Sequence, residues 1–133
     1  ELLSQRRREE PVENLQALLS TSDLEAMQNR ADAIRIESSL ADYVMGIIEA
    51  TRKTPRLQVG VSTRGGLALM RAARALALVE QRDYCIPDDI RRLAGPVLAH
   101  RVSVEGAAAS LGNNRTAAEQ VIEELVSRIK VPV

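Results

Sequence analysis

The longest helical pattern in the chain runs from residue 62 to about residue 81. Apolar side chains recur there at three- and four-residue spacing, which is the spacing of one face of an α-helix. The pattern predicts a broad core-facing surface formed by Leu67, Met70, Ala73, Leu76, Ala77 and Val79. Alanines are frequent in the same stretch, so a neighbouring element can approach closely. A helix with so wide an apolar face needs partners, and the pattern therefore predicts a helix-packed domain.

Two helices are predicted before this one. A capping box formed by Ser22 and Glu25 predicts a helix over 23–32. Ser38 or Ser39 is predicted to cap a second helix that ends near Lys53, before a loop over 54–61. Upstream of both, three leucines are expected to pin a connecting segment to the core: Leu15, Leu18 and Leu19.

Two more helices are predicted after it. Pro87, followed by two acidic residues, predicts a helix to about His100, with a bend or break at Gly95-Pro96. A loop over 101–115 then precedes a capping box that opens a last helix from Thr116 to about Ile129. With brief extended segments at 34–36 and 84–86, the chain is predicted to be all-α: a small bundle of five or six short helices with very short strand segments.

Composition and charge exclude several classes of protein. Basic and acidic residues balance at 18 each, whereas a nucleic-acid binder usually carries a basic excess. No Phe or Trp is present to stack on bases. No run of apolar residues is long enough for a membrane span. We therefore expect no nucleic-acid partner and no membrane partner, and the single cysteine fits a reducing, cytoplasmic location.

The residue types that often carry catalysis are isolated or explained by local structure. His100 and Cys85 are single, so no metal site is expected. His100 is interpreted as a partner of the helix dipole at a helix C-terminus, and Cys85 as a small buried hydrophobic residue. Asp88 and Asp89 are interpreted as first-turn capping residues rather than as a general acid and base.

Arg64 is the candidate functional residue. It lies in the predicted first turn of the long helix, where the helix dipole disfavours a cation by about 0.3–1 kcal/mol. Free backbone N–H groups at such a helix start attract anions, so an arginine beside them indicates phosphate contact as one explanation. Arg71 falls on the same side of the helix. For Arg71, Arg74 and Arg82 an ordinary solvated face is the favoured interpretation.

Three segments occur in an order that resembles one known family. Residues 60–77, GVSTRGGLALMRAARALA, resemble the pattern GASPRASLALLRAA(K/R)ALA of MoxR-type AAA+ ATPases. Residues 82–90, RDYCIPDDI, and residues 94–101, AGPVLAHR, resemble the family's RDYVTPDDV and APxVLxHR. Matches at 40–44 and 50–52 precede them in order. The resemblance covers about residues 1–105.

The resemblance implies the small helical lid of an ATPase whose P-loop core lies elsewhere. No GxxxxGK[ST] pattern occurs in the chain. Residues 1–12 are then the end of a linker helix from that core, 13–105 the lid, and 106–133 a loop and helix packed on the lid. The chain starts without Met and is expected to be an excerpt of a longer protein. The isolated chain is expected to be inactive and to hold no cofactor.

By the same resemblance Arg64 is the sensor-2 arginine that reaches nucleotide phosphate, with Ser62, Thr63 and Arg71 as possible neighbours. ATP and Mg²⁺ would be bound by the full-length protein, a chaperone-like hexameric ring with von Willebrand A domain proteins among its partners. The chain departs from the family where Thr63, Gly65 and Gly66 replace Pro, Ala and Ser. The two glycines weaken the helix start by up to about 1 kcal/mol each.

Two other classes of function compete with this interpretation. A stand-alone helical protein-interaction module, without nucleotide chemistry, is the main alternative. A helix-turn-helix DNA binder is disfavoured by the zero net charge. A phosphate-binding loop roughly 200 residues upstream in the full-length gene would support the ATPase interpretation over both.

Overall fold

Five α-helices and two short strands follow one another along residues 15–106 and 114–132, the part of the chain that the computed structural model describes. The elements are α1 (Thr21–Asp32), α2 (Ser38–Lys53), β1 (Leu57–Val59), α3 (Thr63–Val79), α4 (Pro87–Leu98), a 3-10 turn (Ala99–Arg101), β2 (Ser103–Val104) and α5 (Asn114–Arg128). The predicted all-α bundle is confirmed. None of the helices in these ranges is long and apolar enough to cross a bilayer.

The core lies between α2, α3, α4 and α5. Its fully buried aliphatic side chains come from all four helices: Val44, Ile47, Ile48, Leu69, Ile90, Leu98, Val121 and Ile122. On α3 the buried row repeats every four residues, at Gly65, Leu69, Ala73 and Ala77. Ala73 and Ala77 in this row, two of the alanines expected to let a neighbouring element approach closely, are fully buried.

The predicted apolar face of α3 is partly wrong. Leu67 is 56% exposed and Val79 is 78% exposed, because both lie to the side of the buried row. Leu67 precedes Arg71 by four residues, so it shares the side of the helix that carries the arginines. The expected leucine anchors are also wrong, since Leu18 is 95% exposed and Leu15 and Leu19 are exposed as well.

The first helix begins two residues earlier than predicted. Ser20, not Ser22, is the N-cap: its Oγ accepts a hydrogen bond from the Asp23 N–H at 3.1 Å, and the Ser20 N–H donates to the Asp23 carboxylate at 2.9 Å. Both serines have an acidic residue three positions later, so the sequence is compatible with a capping box at either serine. The start predicted at Thr116 is late in the same way, since α5 is already helical at Asn114.

The two predicted extended segments pair with each other. Arg35 and Tyr84 form a parallel bridge, in which the Cys85 N–H donates to the Arg35 carbonyl at 2.9 Å. Within the predicted loops, β1 and β2 pair antiparallel, with Leu57 opposite Val104. The predicted linker helix over residues 1–12 lies outside the described residues, as does most of the loop before α5.

The end of α3 and the course of α4 differ from the predictions. Helix α3 ends at Val79, and Gln81 adopts a left-handed conformation with φ of 59°. The Arg82 N–H then donates to the Ala77 carbonyl at 2.8 Å, which closes a Schellman-type end. In α4, Pro96 does not break the helix, which continues to Leu98 before the 3-10 turn.

Candidate functional site

The segment before α3 is held by the end of α2. Thr51, which is fully buried, donates its hydroxyl to the Ile48 carbonyl at 2.6 Å and accepts from the Val61 N–H at 3.0 Å. Next to it, Arg52 Nε donates to the Val61 carbonyl at 2.9 Å. Arg52 also donates to Thr63 Oγ1 at 3.4 Å. Side-chain hydrogen bonds from the end of α2 to Val61 and Thr63 therefore fix where α3 starts.

Gly60 is required by the close approach of this segment to α2. A Cβ at residue 60 would lie 2.7 Å from the Thr51 carbonyl oxygen and 2.8 Å from Arg52 Cα, both of which are backbone atoms. Real Cβ atoms do not approach backbone so closely, so the segment would have to move away from α2. The position of Gly60 thus sets the position of the α3 start.

Gly60→Ala is expected to lower the free energy of unfolding by about 1–3 kcal/mol, because the segment must shift to admit a methyl group. Gly46→Ala is the matched control. It lies inside α2, where an added Cβ makes only an ordinary 3.7 Å contact with Ile129, so we expect a gain of up to about 1 kcal/mol from helix propensity. Urea unfolding of both variants measures their free energies of unfolding. Equal values for Gly60→Ala and Gly46→Ala would contradict the close approach of residue 60 to α2.

The first turn of α3 is capped by a side chain. Ser62 Oγ accepts a hydrogen bond from the Gly65 N–H at 3.3 Å, and the Ser62 carbonyl accepts from the same group at 2.8 Å. The N–H group of Gly66 is also directed to the Ser62 carbonyl. Of the N–H groups at this helix start that were expected to attract an anion, that of Gly65 is therefore occupied by the cap.

The glycines that depart from the family pattern have a packing role. Gly65 and Gly66 are buried, and a Cβ on Gly65 would lie 2.6 Å from Val61 Cγ1. A Cβ on Gly66 would collide with Ile48, which is 1% exposed in the core. The expected weakening of the helix start is thus offset by close packing. The turn that carries Arg64 lies directly against α2.

Arg64 itself is exposed and lines an open depression of about 550 Å³. The same depression is lined by Leu67, Ala68 and Arg71 from α3 and by Arg101 from the 3-10 turn. The structure therefore brings the predicted residues Arg64 and Arg71 together. Ser62 and Thr63 support the helix start instead, and neither is among the residues that line the depression.

Arg101 was missed by sequence reasoning. It falls at the end of the AGPVLAHR segment, 3-10 helical in the structure, and only the fold carries it back to the start of α3. Arginine at the end of a helix usually has a local explanation, as a favourable partner of the helix dipole. The sequence therefore gave no signal that Arg101 shares a surface with Arg64.

Arg82 has a structural role, so its interpretation as a solvated arginine is wrong. Its guanidinium forms two hydrogen bonds with Asp89, at 2.7 Å and 3.0 Å, and Asp89 is fully buried. It also contacts Glu80 at 2.6 Å, and Glu80 in turn accepts from Arg92 at 2.6 Å. Hydrogen bonds from Arg82 and Arg92 hold the pKa of the Glu80 carboxyl below its ordinary value.

The remaining sequence candidates lie where local structure explains them. Asp89 accepts the Ile86 N–H at 2.9 Å, so it caps α4 as predicted. Cys85 is 5% exposed, and burial raises the pKa of its thiol, which fits a buried hydrophobic residue. His100 is exposed in the 3-10 turn after α4. Residues 15–106 and 114–132 contain no group of three or more metal-ligating side chains.

Comparisons with known proteins agree on one family. The sequence profile of the AAA lid domain family matches residues 49–125. The uncharacterized protein YeaC of Bacillus subtilis is 38% identical over all 133 residues, which are 41% of YeaC. Chaperone MoxR1 of Mycobacterium tuberculosis is 39% identical over 94 residues, which are 64% of this chain and 25% of that protein.

A solved structure supports the same relationship. The crystal structure of a candidate ATPase from Cytophaga hutchinsonii matches 92% of this chain with a TM-score of 0.74 and 27% sequence identity. The match covers 41% of that protein. The chain thus spans less than half the length of each of these three proteins.

Proposed function

The chain belongs to the AAA lid domain family as the lid of a MoxR-type ATPase, and on that premise we propose that Arg64 contacts the phosphates of ATP held by a P-loop domain of the same protein. The observation that carries this proposal is the placement of Arg64. Its side chain is exposed on the first turn of a helix whose start is fixed by Thr51, Arg52 and Gly60.

The chemistry of arginine suits this role. A guanidinium group is planar, always charged and able to bind two phosphate oxygens at once. In phosphoryl transfer an arginine stabilises the charge that develops on the transferred group, provided that it is correctly positioned. The chain itself has no GxxxxGK[ST] loop, so the P-loop domain would supply most of the binding energy for ATP and would hold Mg²⁺.

A lid that binds nucleotide together with a second domain can transmit the nucleotide state. Binding of ATP would draw the lid towards the P-loop domain, and hydrolysis would release it. We extend the proposal to a hexameric ring in the cytoplasm that acts on other proteins, with von Willebrand A domain proteins as partners. The chaperone name of MoxR1 supports an action on other proteins, and the family resemblance is the support for the ring and for the von Willebrand A domain partners.

Calorimetry tests the division of the site between two domains. The 133-residue chain is expected to show no micromolar affinity for ATP, because one exposed arginine contributes about 1 kcal/mol or less. The full-length protein is expected to bind Mg·ATP with micromolar affinity. Micromolar binding by the chain alone would contradict the proposal, as would the absence of binding by the full-length protein.

The alternative of a protein-interaction module is favoured by one observation. Helix α1 has no buried residue, and Leu24 and Met27 on it are 51% and 46% exposed. Exposed apolar side chains of this kind mark a contact surface. A lid also presents such a surface to the rest of its own protein, so ATP binding by the full-length protein decides between the two functions.

A further inference from the structure

Three arginines from two separate elements surround one depression. Arg64 and Arg71 come from α3, and Arg101 comes from the 3-10 turn that follows α4. Leu67 and Ala68 complete the lining. This group of side chains is called the arginine cluster below.

The arginine cluster has no counter-ion within the described ranges. Six arginines elsewhere in residues 15–106 and 114–132 pair with carboxylates, among them Arg35, Arg56 and Arg115. The three cluster arginines form no salt bridge there, and neither do Arg30, Arg52, Arg74 and Arg91; the cluster differs from these four in that its arginines line one shared depression. Three positive charges around a shared depression repel one another, and an anion between them relieves that repulsion. The cluster is therefore electrostatically suited to an anionic ligand.

The side chain of Arg101 passes beside Gly65. Its Cδ lies 3.5 Å from the position that a Gly65 Cβ would occupy, an ordinary contact distance, so the aliphatic part of Arg101 runs along the first turn of α3. Its charged end is thereby brought to the side of the helix that carries Arg64. Gly65, which stands where the family pattern has alanine, is itself buried in this packing.

The spacing of the cluster indicates a ligand with several phosphates. Arg64 and Arg71 are separated by two helical turns, or about 10 Å along the axis. A single phosphate cannot contact both guanidinium groups without long side-chain excursions, whereas a chain of two or three phosphates spans the distance. The small side chain of Ala68 leaves room between them.

We propose that Arg101 is a second phosphate-binding arginine, which acts with Arg64 and Arg71 on the polyphosphate chain of a nucleotide. This inference rests on the proposed function of Arg64; it adds Arg101 to the site and gives Arg71, which the family resemblance named as a neighbour, a phosphate contact. Arg101 contributes to binding the phosphates in the ground state. Its loss should raise the KM for ATP in the full-length protein more than it lowers kcat.

The test uses inorganic tripolyphosphate as the probe and the ¹⁵N-labelled 133-residue chain, with NMR detection of arginine Nε–H signals at constant ionic strength. We expect millimolar binding that shifts the Arg64, Arg71 and Arg101 signals. Arg101→Met keeps the aliphatic stem but removes the charge, and should weaken binding about fivefold. Arg101→Lys keeps the charge and should weaken it less than about twofold. Arg91→Met, an exposed arginine of α4 outside the cluster, should change nothing.

Each contrary result has a definite meaning. Equal affinities for Arg101→Met and the unaltered chain would overturn the inference, and so would equal weakening by Arg101→Met and Arg101→Lys. Absence of tripolyphosphate binding at 20 mM, a concentration about tenfold above the expected range, would overturn it too. If Arg64→Met weakens binding while Arg101→Met does not, the inference fails and the proposed function of Arg64 stands.

Discussion

Replacement of Arg82 by methionine is expected to lower the free energy of unfolding by about 3–5 kcal/mol, because it leaves the buried carboxylate of Asp89 without its partner. Asp89 is fully buried, and the side chain of Arg82 is only 18% exposed. Two parallel hydrogen bonds join them, which is the strongest geometry for such a pair. Urea unfolding followed by circular dichroism measures the loss.

The matched control is Arg35→Met. Arg35 also pairs with an aspartate, Asp83, but their side chains are 66% and 80% exposed, so we expect a loss below about 1 kcal/mol. Addition of Asp89→Asn to Arg82→Met should cost less than the sum of the two single changes, since it removes the unpaired charge. Similar small losses for Arg82→Met and Arg35→Met would show that the buried pair does not stabilise the fold.

The Arg82 pair also explains how the arginine cluster is positioned. It joins the end of α3 to the first turn of α4, while Glu80 brings Arg92 of α4 into the same network. Arg64 lies at the other end of α3, and Arg101 follows the other end of α4. A rigid joint between the two helices therefore keeps both arginines on one surface.

Apolar periodicity, which is a local property, carried most of the fold prediction. The predicted start of the long helix at residue 62 is within one residue of the start of α3, and the predicted end of α2 at Lys53 agrees with the structure. The predicted cap of α2 at Ser38 or Ser39 is wrong, because Glu37 is its N-cap and forms no side-chain cap hydrogen bond. The end of α3 was predicted near residue 81, two residues late, because Gln81, rather than glycine, occupies the left-handed position. Without a glycine there, the sequence does not indicate a Schellman-type helix end.

Pairings between distant segments could not be predicted. The extended segments around Arg35 and Tyr84 were recognised individually, yet nothing local indicates that they form a bridge. The same limit hid the pairing of Arg82 with Asp89 and the approach of Arg101 to Arg64. The meaning of Gly65 and Gly66 was missed for the same reason, since only the packed structure shows what their missing side chains would touch.

Replacement of Arg64 by alanine in the full-length protein is expected to lower kcat for ATP hydrolysis about 100-fold, the effect of removing one well-placed donor to a charged transition state. The lid should remain folded. Arg64 is exposed and forms no salt bridge or side-chain hydrogen bond among the described residues, and such surface changes usually alter stability by less than about 0.5 kcal/mol. A folding defect therefore cannot produce the loss of turnover.

Two variants separate the role of Arg64 from a general effect of charge. Arg64→Lys retains a cation but not the planar fork, so we expect a kcat between those of Arg64→Ala and the unaltered protein. Arg91→Ala removes an exposed arginine of α4 that lies outside the arginine cluster, and it should leave turnover unchanged. A loss of turnover in Arg91→Ala would indicate that net charge, rather than the position of Arg64, controls hydrolysis.

Steady-state ATP hydrolysis by the full-length protein and its Arg64→Ala variant tests the central claim most directly. The lid is proposed to complete a nucleotide site whose other half lies in a P-loop domain, with Arg64 as the side chain that reaches across. The account predicts a kcat lowered about 100-fold in a variant whose unfolding curve is unchanged. Unchanged kcat and KM would contradict it.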